Sequence, residues 1–283
     1  SVPATISLDI TAVNDVPIAL AQTVSTTVNV PVSIVLSGTD AEGNNLTYHL
    51  VTQPTQGALT GTAPDLVYTP ASGFTGTDSF QFLVNDGNVN SSPAVISLVV
   101  NPAGPQTIFW DDFESNNGWV FNPFGTDTAT SGTWQRANPE VVSYYGYKQL
   151  GTTVSGSYDL VTGPLAGSSS GSYDLDGGLT SVRSPQITLP TGRNLTLSFS
   201  YYLAHYTNSS TADYLRIKIV GSTTTTLFQE LGANNDNDAV WQTFSISLNS
   251  FAGQTVYLLI EAADASTASL VEAAIDDVLI IAE

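Results

Sequence analysis

The chain reads as all-β, two sandwich domains in succession, and three features carry that reading. Apolar residues recur at alternate positions in short runs, as in Ser79-Phe80-Gln81-Phe82-Leu83-Val84, the period of a strand with one buried face. Turn residues interrupt the runs at intervals of about 8 to 12 residues. At Phe109-Trp110-Asp111-Asp112-Phe113-Glu114 composition, charge and residue size change together, so a second domain begins there. A length of 283 residues is enough for two separate cores.

Charge narrows the functional classes. Twenty-five acidic residues stand against six basic ones, a net charge of −19, and the first 103 residues contain no Lys or Arg. Such a surface repels nucleic acid and anionic lipid. With 42% hydrophobic and 10% aromatic content in alternating runs, the chain packs rather than staying disordered. It has no Cys, hence no disulfide framework, and no Met, which reads as a mature or excised piece. No apolar run approaches membrane-span length. An acidic, Thr/Ser/Asn/Gly-rich β chain fits a monomer exported to the cell exterior, where Asp-rich loops bind calcium at millimolar concentrations.

In chain order, Pro3-Ala4-Thr5-Ile6-Ser7-Leu8 matches Pro93-Ala94-Val95-Ile96-Ser97-Leu98 at an offset of about 90. Residues 1–13 are therefore expected to be the last strand of a preceding repeat in a tandem array. Residues 14–101 form the first sandwich, with turns at Glu42-Gly43-Asn44, Ser72-Gly73 and Asp86-Gly87. The strings Gly38-Thr39-Asp40-Ala41-Glu42-Gly43-Asn44, Gly73-Phe74-Thr75-Gly76-Thr77-Asp78-Ser79-Phe80 and Asn85-Asp86-Gly87 closely resemble bacterial cadherin-like (bacterial Ig-like) tandem repeats. That resemblance implies a seven-stranded spacer or adhesion module, often stiffened by calcium at its joints. Asp15, Asp40, Glu42 and Asp86 are the acids placed to serve such a joint.

Residues 102–106, Pro-Ala-Gly-Pro-Gln, form a stiff linker, and 107–283 a second sandwich with a loop-heavy first half. Its strands are clear from Ser181 onward. Leu195, Leu197, Phe199, Tyr201 and Leu203 take one face and Thr196, Ser198, Ser200, Tyr202 and Ala204 the other. The next strand directs Leu215, Ile217 and Ile219 inward and Arg216 and Lys218 outward. The pattern is that of a jelly roll. Asp112-Phe113-Glu114 at the start and Ala274-Ile275-Asp276-Asp277-Val278 at the close resemble MAM-like and carbohydrate-binding jelly-roll modules of secreted bacterial hydrolases. The resemblance implies an accessory, non-catalytic role without naming the ligand.

Three carboxylates are expected to meet where the ends of the second domain lie side by side as edge strands. Asp112 and Glu114 alternate on the opening strand, and Asp277 falls on the apolar parity of the closing one. A carboxylate on an apolar face needs a partner, and calcium, which takes six to eight oxygens, suits this set. Asp174-Leu175-Asp176-Gly177-Gly178 has the alternating acids of a second calcium loop without an EF-hand's length. Gly167-Ser168-Ser169-Ser170-Gly171 formally matches a nucleophile elbow, but no helix follows it and only two His exist in the chain. No catalytic set stands out.

Polymer binding would rest on aromatic faces, because sugar C–H edges complement an aromatic ring and polar neighbours bond the hydroxyls. Tyr144, Tyr145 and Tyr147, three tyrosines in four residues of a loop, are the first candidates, against a plain reading as a plug holding the loop down. Trp134, Tyr202 and Arg216 are further ones, while Trp241 opens a strand and reads as packing. The sequence thus points to a secreted spacer joined to a calcium-stabilised module that binds polysaccharide, with an extracellular protein polymer or an adhesin tip as alternatives.

Overall fold

A computed structural model describes residues 13–165, 174–265 and 269–283. The chain forms two compact units, Ser1–Gly104 and Pro105–Glu283. Residues 1–12 of the expected leading strand and the elbow-like Gly167–Gly171 lie outside the described residues.

The first unit contains β1 (Ile18–Ala19), β2 (Gln22–Thr27), β3 (Val32–Val35), β4 (Gly38–Thr39), β5 (Thr47–Leu50), β6 (Gly57–Thr62), β7 (Asp65–Pro70), β8 (Gly76–Asn85) and β9 (Ala94–Asn101). One sheet runs β2-β9-β8-β5 and the other β3-β7-β6, with β1 paired to β4. Their inner faces meet in one core: Ile34, Leu66 and Tyr68 from the second sheet, Phe80, Phe82, Val84, Ile96 and Leu98 from the first. Burying each of these side chains is worth about 1.5–3 kcal/mol. The alternation in β8 that announced a strand is therefore the alternation that fills this core. Asp78 enters the same strand buried, yet it is satisfied. Its carboxylate accepts the N–H groups of Thr55, Gln56 and Ser79 and the Tyr68 hydroxyl.

The second unit contains β10 (Gln106–Asp111), β11 (Val120–Phe121), β12 (Trp134–Ala137), β13 (Val142–Ser143), β14 (Tyr147–Gln149), β15 (Asp159–Thr162), β16 (Gly178–Arg183), β17 (Ile187–Thr188), β18 (Leu195–His205), β19 (Tyr214–Val220), β20 (Thr224–Leu231), β21 (Gln242–Ser247), β22 (Thr255–Asp264) and β23 (Val271–Ala282). Two six-stranded sheets result, β12-β15-β23-β18-β21 with β10 also on β23, and β11-β16-β22-β19-β20 with β17 also on β22. All described pairings within them are antiparallel. Leu197, Phe199, Ile275 and Ile280 of the first sheet share a core with Leu215, Ile217, Leu258 and Ile260 of the second. The molecule is all-β, an Ig-like sandwich followed by a jelly-roll-type sandwich. Among the described residues the one helical element is a single 3-10 turn, Asn249–Phe251.

Two strand expectations need correction. The start and end of the unit do pair, Trp110 facing Leu279 and Asp111 facing Val278, but β23 is interior, with β18 on its other side. Strict alternation also fails in β18, whose residues from Phe199 to His205 are all buried. The cause is a second, smaller apolar cluster on the outer face, where Tyr202 and Ala204 meet Val161, Ala239 and Ala274. A strand covered on both faces loses the period of two.

Candidate functional site

β10 and β15 lie end to end along one edge of β23: β10 pairs with its C-terminal half, and Leu160 and Val161 of β15 pair with Ile275 and Ala274. Between them the ladder is interrupted opposite Asp276 and Asp277. Here β23 bulges, its register with β18 shifting between Ser198 and Ser200, and Asp277 takes a left-handed φ of 52°. The extra residue changes the parity. Asp276 is buried, Val278 enters the core, and Asp277 is left half-buried, so the expectation that Asp277 points to the apolar face is overturned. The opening acids shift as well. β10 ends at Asp111, and Asp112-Phe113-Glu114 form a turn with Phe113 at φ 56°.

The acids at this junction mostly hold loops. Glu114 Oε1 accepts the N–H groups of Ser157 and Tyr158, each at 2.6 Å, while Asp276 Oδ2 accepts those of Val154 and Ser155. Asp277 Oδ1 takes the Ser155 hydroxyl, Asp112 Oδ1 the Glu114 N–H, and the buried Asp111 takes Trp119 Nε1–H and Phe113 N–H. Asp159, first residue of β15, differs from all of these. It is fully buried and neither carboxylate oxygen has a hydrogen-bond partner. Burial, then the neighbouring Asp276, pushes its carboxyl up to about 8, and burial raises Asp276 itself to about 6. Sequence reasoning missed Asp159 because nothing about Tyr158-Asp159-Leu160 shows that β15 starts against Asp276.

The second expected pair, Asp174 and Asp176, sits against Ser131 and β23. Asp176 bridges Ser131, whose hydroxyl donates to its carboxylate. Asp174 is buried with Oδ1 unpartnered, and burial together with Asp176 raises its carboxyl to about 6. Glu272 joins them: burial first, then Asp174 and Asp176, hold it well above its usual range, and it accepts the Thr162 hydroxyl. Among the described residues no three acidic or imidazole side chains come within metal-ligand spacing of one another. An ion at either place would draw most of its oxygens from the backbone. In the first unit, Asp86 is occupied by Asn14, Asn88 and Val89, and Glu42 by the Asp15 N–H, while Asp40 Oδ2 is buried without a partner.

The tyrosines occupy the β13–β14 hairpin. Tyr145 is 75% exposed, Tyr147 57% and Tyr144 38%, so the three rings stand at the surface rather than in a core. Tyr145 turns the chain at φ 53°, Gly146 follows at φ 139°, and Tyr144 N–H donates to Gly146 O at 2.8 Å. Tyr206, just past β18, completes a cluster. Its ring stacks on Tyr145 at 5.7 Å and 19° and meets Tyr144 edge-on at 4.9 Å. The hairpin is fixed from below by Lys148, whose buried ammonium binds Asp236 and, at 2.6 Å, Asp238. Tyr147 O also accepts the Ala239 N–H at 2.6 Å. Of the remaining candidates, Tyr202 is buried against Trp241 and offers no face, and Trp134 is buried too. Arg216 is engaged by Gln229, Glu261 and the Tyr214 ring.

Three solved structures are similar at low identity. The cleaved adhesin domain of Lys-gingipain from Porphyromonas gingivalis is 15% identical with a TM-score of 0.37, covering 63% of this chain and 99% of that one. A Clostridium thermocellum endo-1,4-β-xylanase complexed with xylohexaose gives 14% and 0.36, covering 62% of this chain and 28% of that one. A xylan-binding domain from Paenibacillus barcinonensis gives 11% and 0.34, covering 63% and 96%. None superposes closely enough to bear on fold or function. No curated protein matches the chain. The N-terminal sandwich does match a known family model: residues 14–99 are similar to a bacterial Ig domain.

Proposed function

We propose that this is a non-catalytic accessory region of a secreted bacterial protein, an Ig-like spacer followed by a calcium-stabilised sandwich that binds polysaccharide. The cluster of Tyr144 and Tyr145, both exposed, with the half-buried Tyr206 carries the reading. A stacked, solvent-facing set of rings costs apolar exposure, and a lysine sealed at 0% exposure serves to hold its hairpin in place. Such a platform suits the faces of sugar rings. Calcium fits the β10–β15 junction for a separate reason. The unpartnered Asp159 beside Asp276 is a pair of buried carboxylates whose repulsion a divalent ion would relieve. Asp112, Glu114 and Asp277 border that place, and Asp174 and Asp176, now with Glu272, are the second candidate set.

The test is co-sedimentation of the whole chain with insoluble cellulose, chitin and collagen, together with affinity electrophoresis in soluble glucans. Tyr145→Ala and Tyr206→Ala should each weaken polysaccharide binding by about 1–3 kcal/mol, the scale of a base stacked on an aromatic ring, with the melting temperature unchanged. Retention on collagen alone would favour a protein polymer instead. Unchanged binding with earlier melting would show that the rings only pack.

A further inference from the structure

A pocket of about 450 Å³ opens on the second unit, walled by Phe113, Trp119, Phe121, Trp134 and Leu160, with Arg136 at its lining and no carboxylate residue among the lining residues. The size is that of a small-ligand site. Its construction follows from the fold. Trp134 and Arg136 stand two apart on β12 and so share a face. Trp119 is fixed by its Nε1–H bond to Asp111 and by ring contact with Phe113 at 5.3 Å. Phe121, on the two-residue strand β11, keeps 42% of its surface exposed. Three side-chain amides, Asn116, Asn117 and Gln135, complete the lining.

Arg136 is the unexpected member. The protein carries 25 acids and six bases, and among the described residues Lys148, Arg216 and Lys218 are each paired with a carboxylate, while Arg136 and Arg183 lie over tyrosine rings instead, Arg136 alone of the two lining this pocket. No described carboxylate lies within ion-pair distance of Arg136. Its guanidinium is stacked on the Tyr158 ring at 4.2 Å, which orients the planar fork without neutralising it. A cation left unneutralised in a chain of net charge −19, within an aromatic pocket rimmed by amides, is complementary to one ligand carboxylate. Phe121, with 42% of its surface exposed, offers a face to a sugar ring, backed by the buried Phe113, Trp119 and Trp134, and amides, which both donate and accept, take hydroxyls.

We propose that this pocket binds a single uronate unit, the acidic sugar of a polysaccharide, with Arg136 gripping its carboxylate. The proposal deepens the polysaccharide reading and rests on it for ligand class. A long polyuronate is disfavoured, because the whole-protein field repels a run of negative charges, so the unit belongs on an otherwise neutral chain.

Titration of the whole chain, followed by tryptophan fluorescence and calorimetry, tests it with glucuronate, galacturonate, their neutral counterparts glucose and galactose, acetate, and N-acetylphenylalanine. A uronate should bind about tenfold to a hundredfold more tightly than its neutral sugar, the range for a charge-assisted bond. Arg136→Met should erase that preference without lowering the melting temperature, Arg136→Lys should restore part of it, and Phe121→Ala should weaken acidic and neutral sugars alike. Co-sedimentation of Tyr145→Ala reads the tyrosine platform and titration of Arg136→Met reads the pocket, so that failure of the one and failure of the other are distinguished. Equal binding of uronate and neutral sugar, binding of acetate as strong as glucuronate, capture of N-acetylphenylalanine in place of sugars, or no binding at all would overturn the proposal.

Discussion

At the scale of single residues, two buried aspartates, Asp78 and Asp159, make opposite predictions. Asp78 is surrounded by donors. Burial alone would raise its carboxyl, but the N–H groups of Thr55, Gln56 and Ser79 and the Tyr68 hydroxyl prevail and hold it below the usual range. A depressed native pKa contributes stability that is present above the unfolded value, about 3.9, and lost as pH falls through the native one. Asp78→Asn should therefore destabilise by about 1–3 kcal/mol near neutral pH, and its deficit against the native protein in urea unfolding should shrink steadily as pH drops from about 5 toward 2. A deficit independent of pH would mean the charge is not what those donors hold. Asp159 has no donor from any other residue on its carboxylate oxygens. Without a cation its carboxyl is held largely protonated, so Asp159→Asn and the native protein should melt alike in EDTA. In calcium the native protein should gain about 2.7 kcal/mol at a hundredfold excess over Kd, and the variant nothing. Equal melting in both buffers would remove the junction ion. Neither environment was visible in the sequence, because both depend on partners far away in the chain.

At the scale of elements, alternation was legible where only one face is covered, as in β8 and β19, and failed where an element carries an irregularity or a second layer. The bulge at Asp276-Asp277 reverses which acid is buried, and parity counting has no means of placing an inserted residue. The outer cluster that buries Tyr202 is built from segments distant in sequence. The tyrosine hairpin is the intermediate case. Three tyrosines in four residues marked it, but Tyr206 joins only because β18 ends beside it. Gly146 also acquires a meaning in the structure, since a Cβ there would overlap the Asp238 carboxylate and its φ of 139° strains any other residue. Gly146→Ala should therefore shift the hairpin off the Asp236–Asp238 clamp and weaken polysaccharide binding by about tenfold or more, corresponding to about 1.4 kcal/mol or above, with the core untouched. Circular dichroism should show the same β signature with an earlier unfolding midpoint, because the buried Lys148 loses part of its carboxylate clamp. A variant that binds normally would show that the hairpin does not set the ring positions.

At the scale of the whole molecule, the division into two sandwiches was readable from the composition shift and the turn spacing, and the cores themselves confirm an all-β chain. Among the described residues each core closes within its own unit: the cluster around Phe80 and Tyr68 contains no residue of the second unit, and the one around Phe199 and Ile260 none of the first. Stability should then be divided as well, since cooperativity follows shared buried contacts. Differential scanning calorimetry of the full chain in calcium should resolve two transitions. Asp78→Asn should lower one, while EDTA or Asp159→Asn should lower the other, and combining Asp78→Asn with EDTA should give the sum of the separate shifts within about 0.5 kcal/mol. A single transition that moves in full under either change would show that the two sandwiches unfold as one body. It would also mean that the acidic junction stabilises the Ig-like unit together with its own.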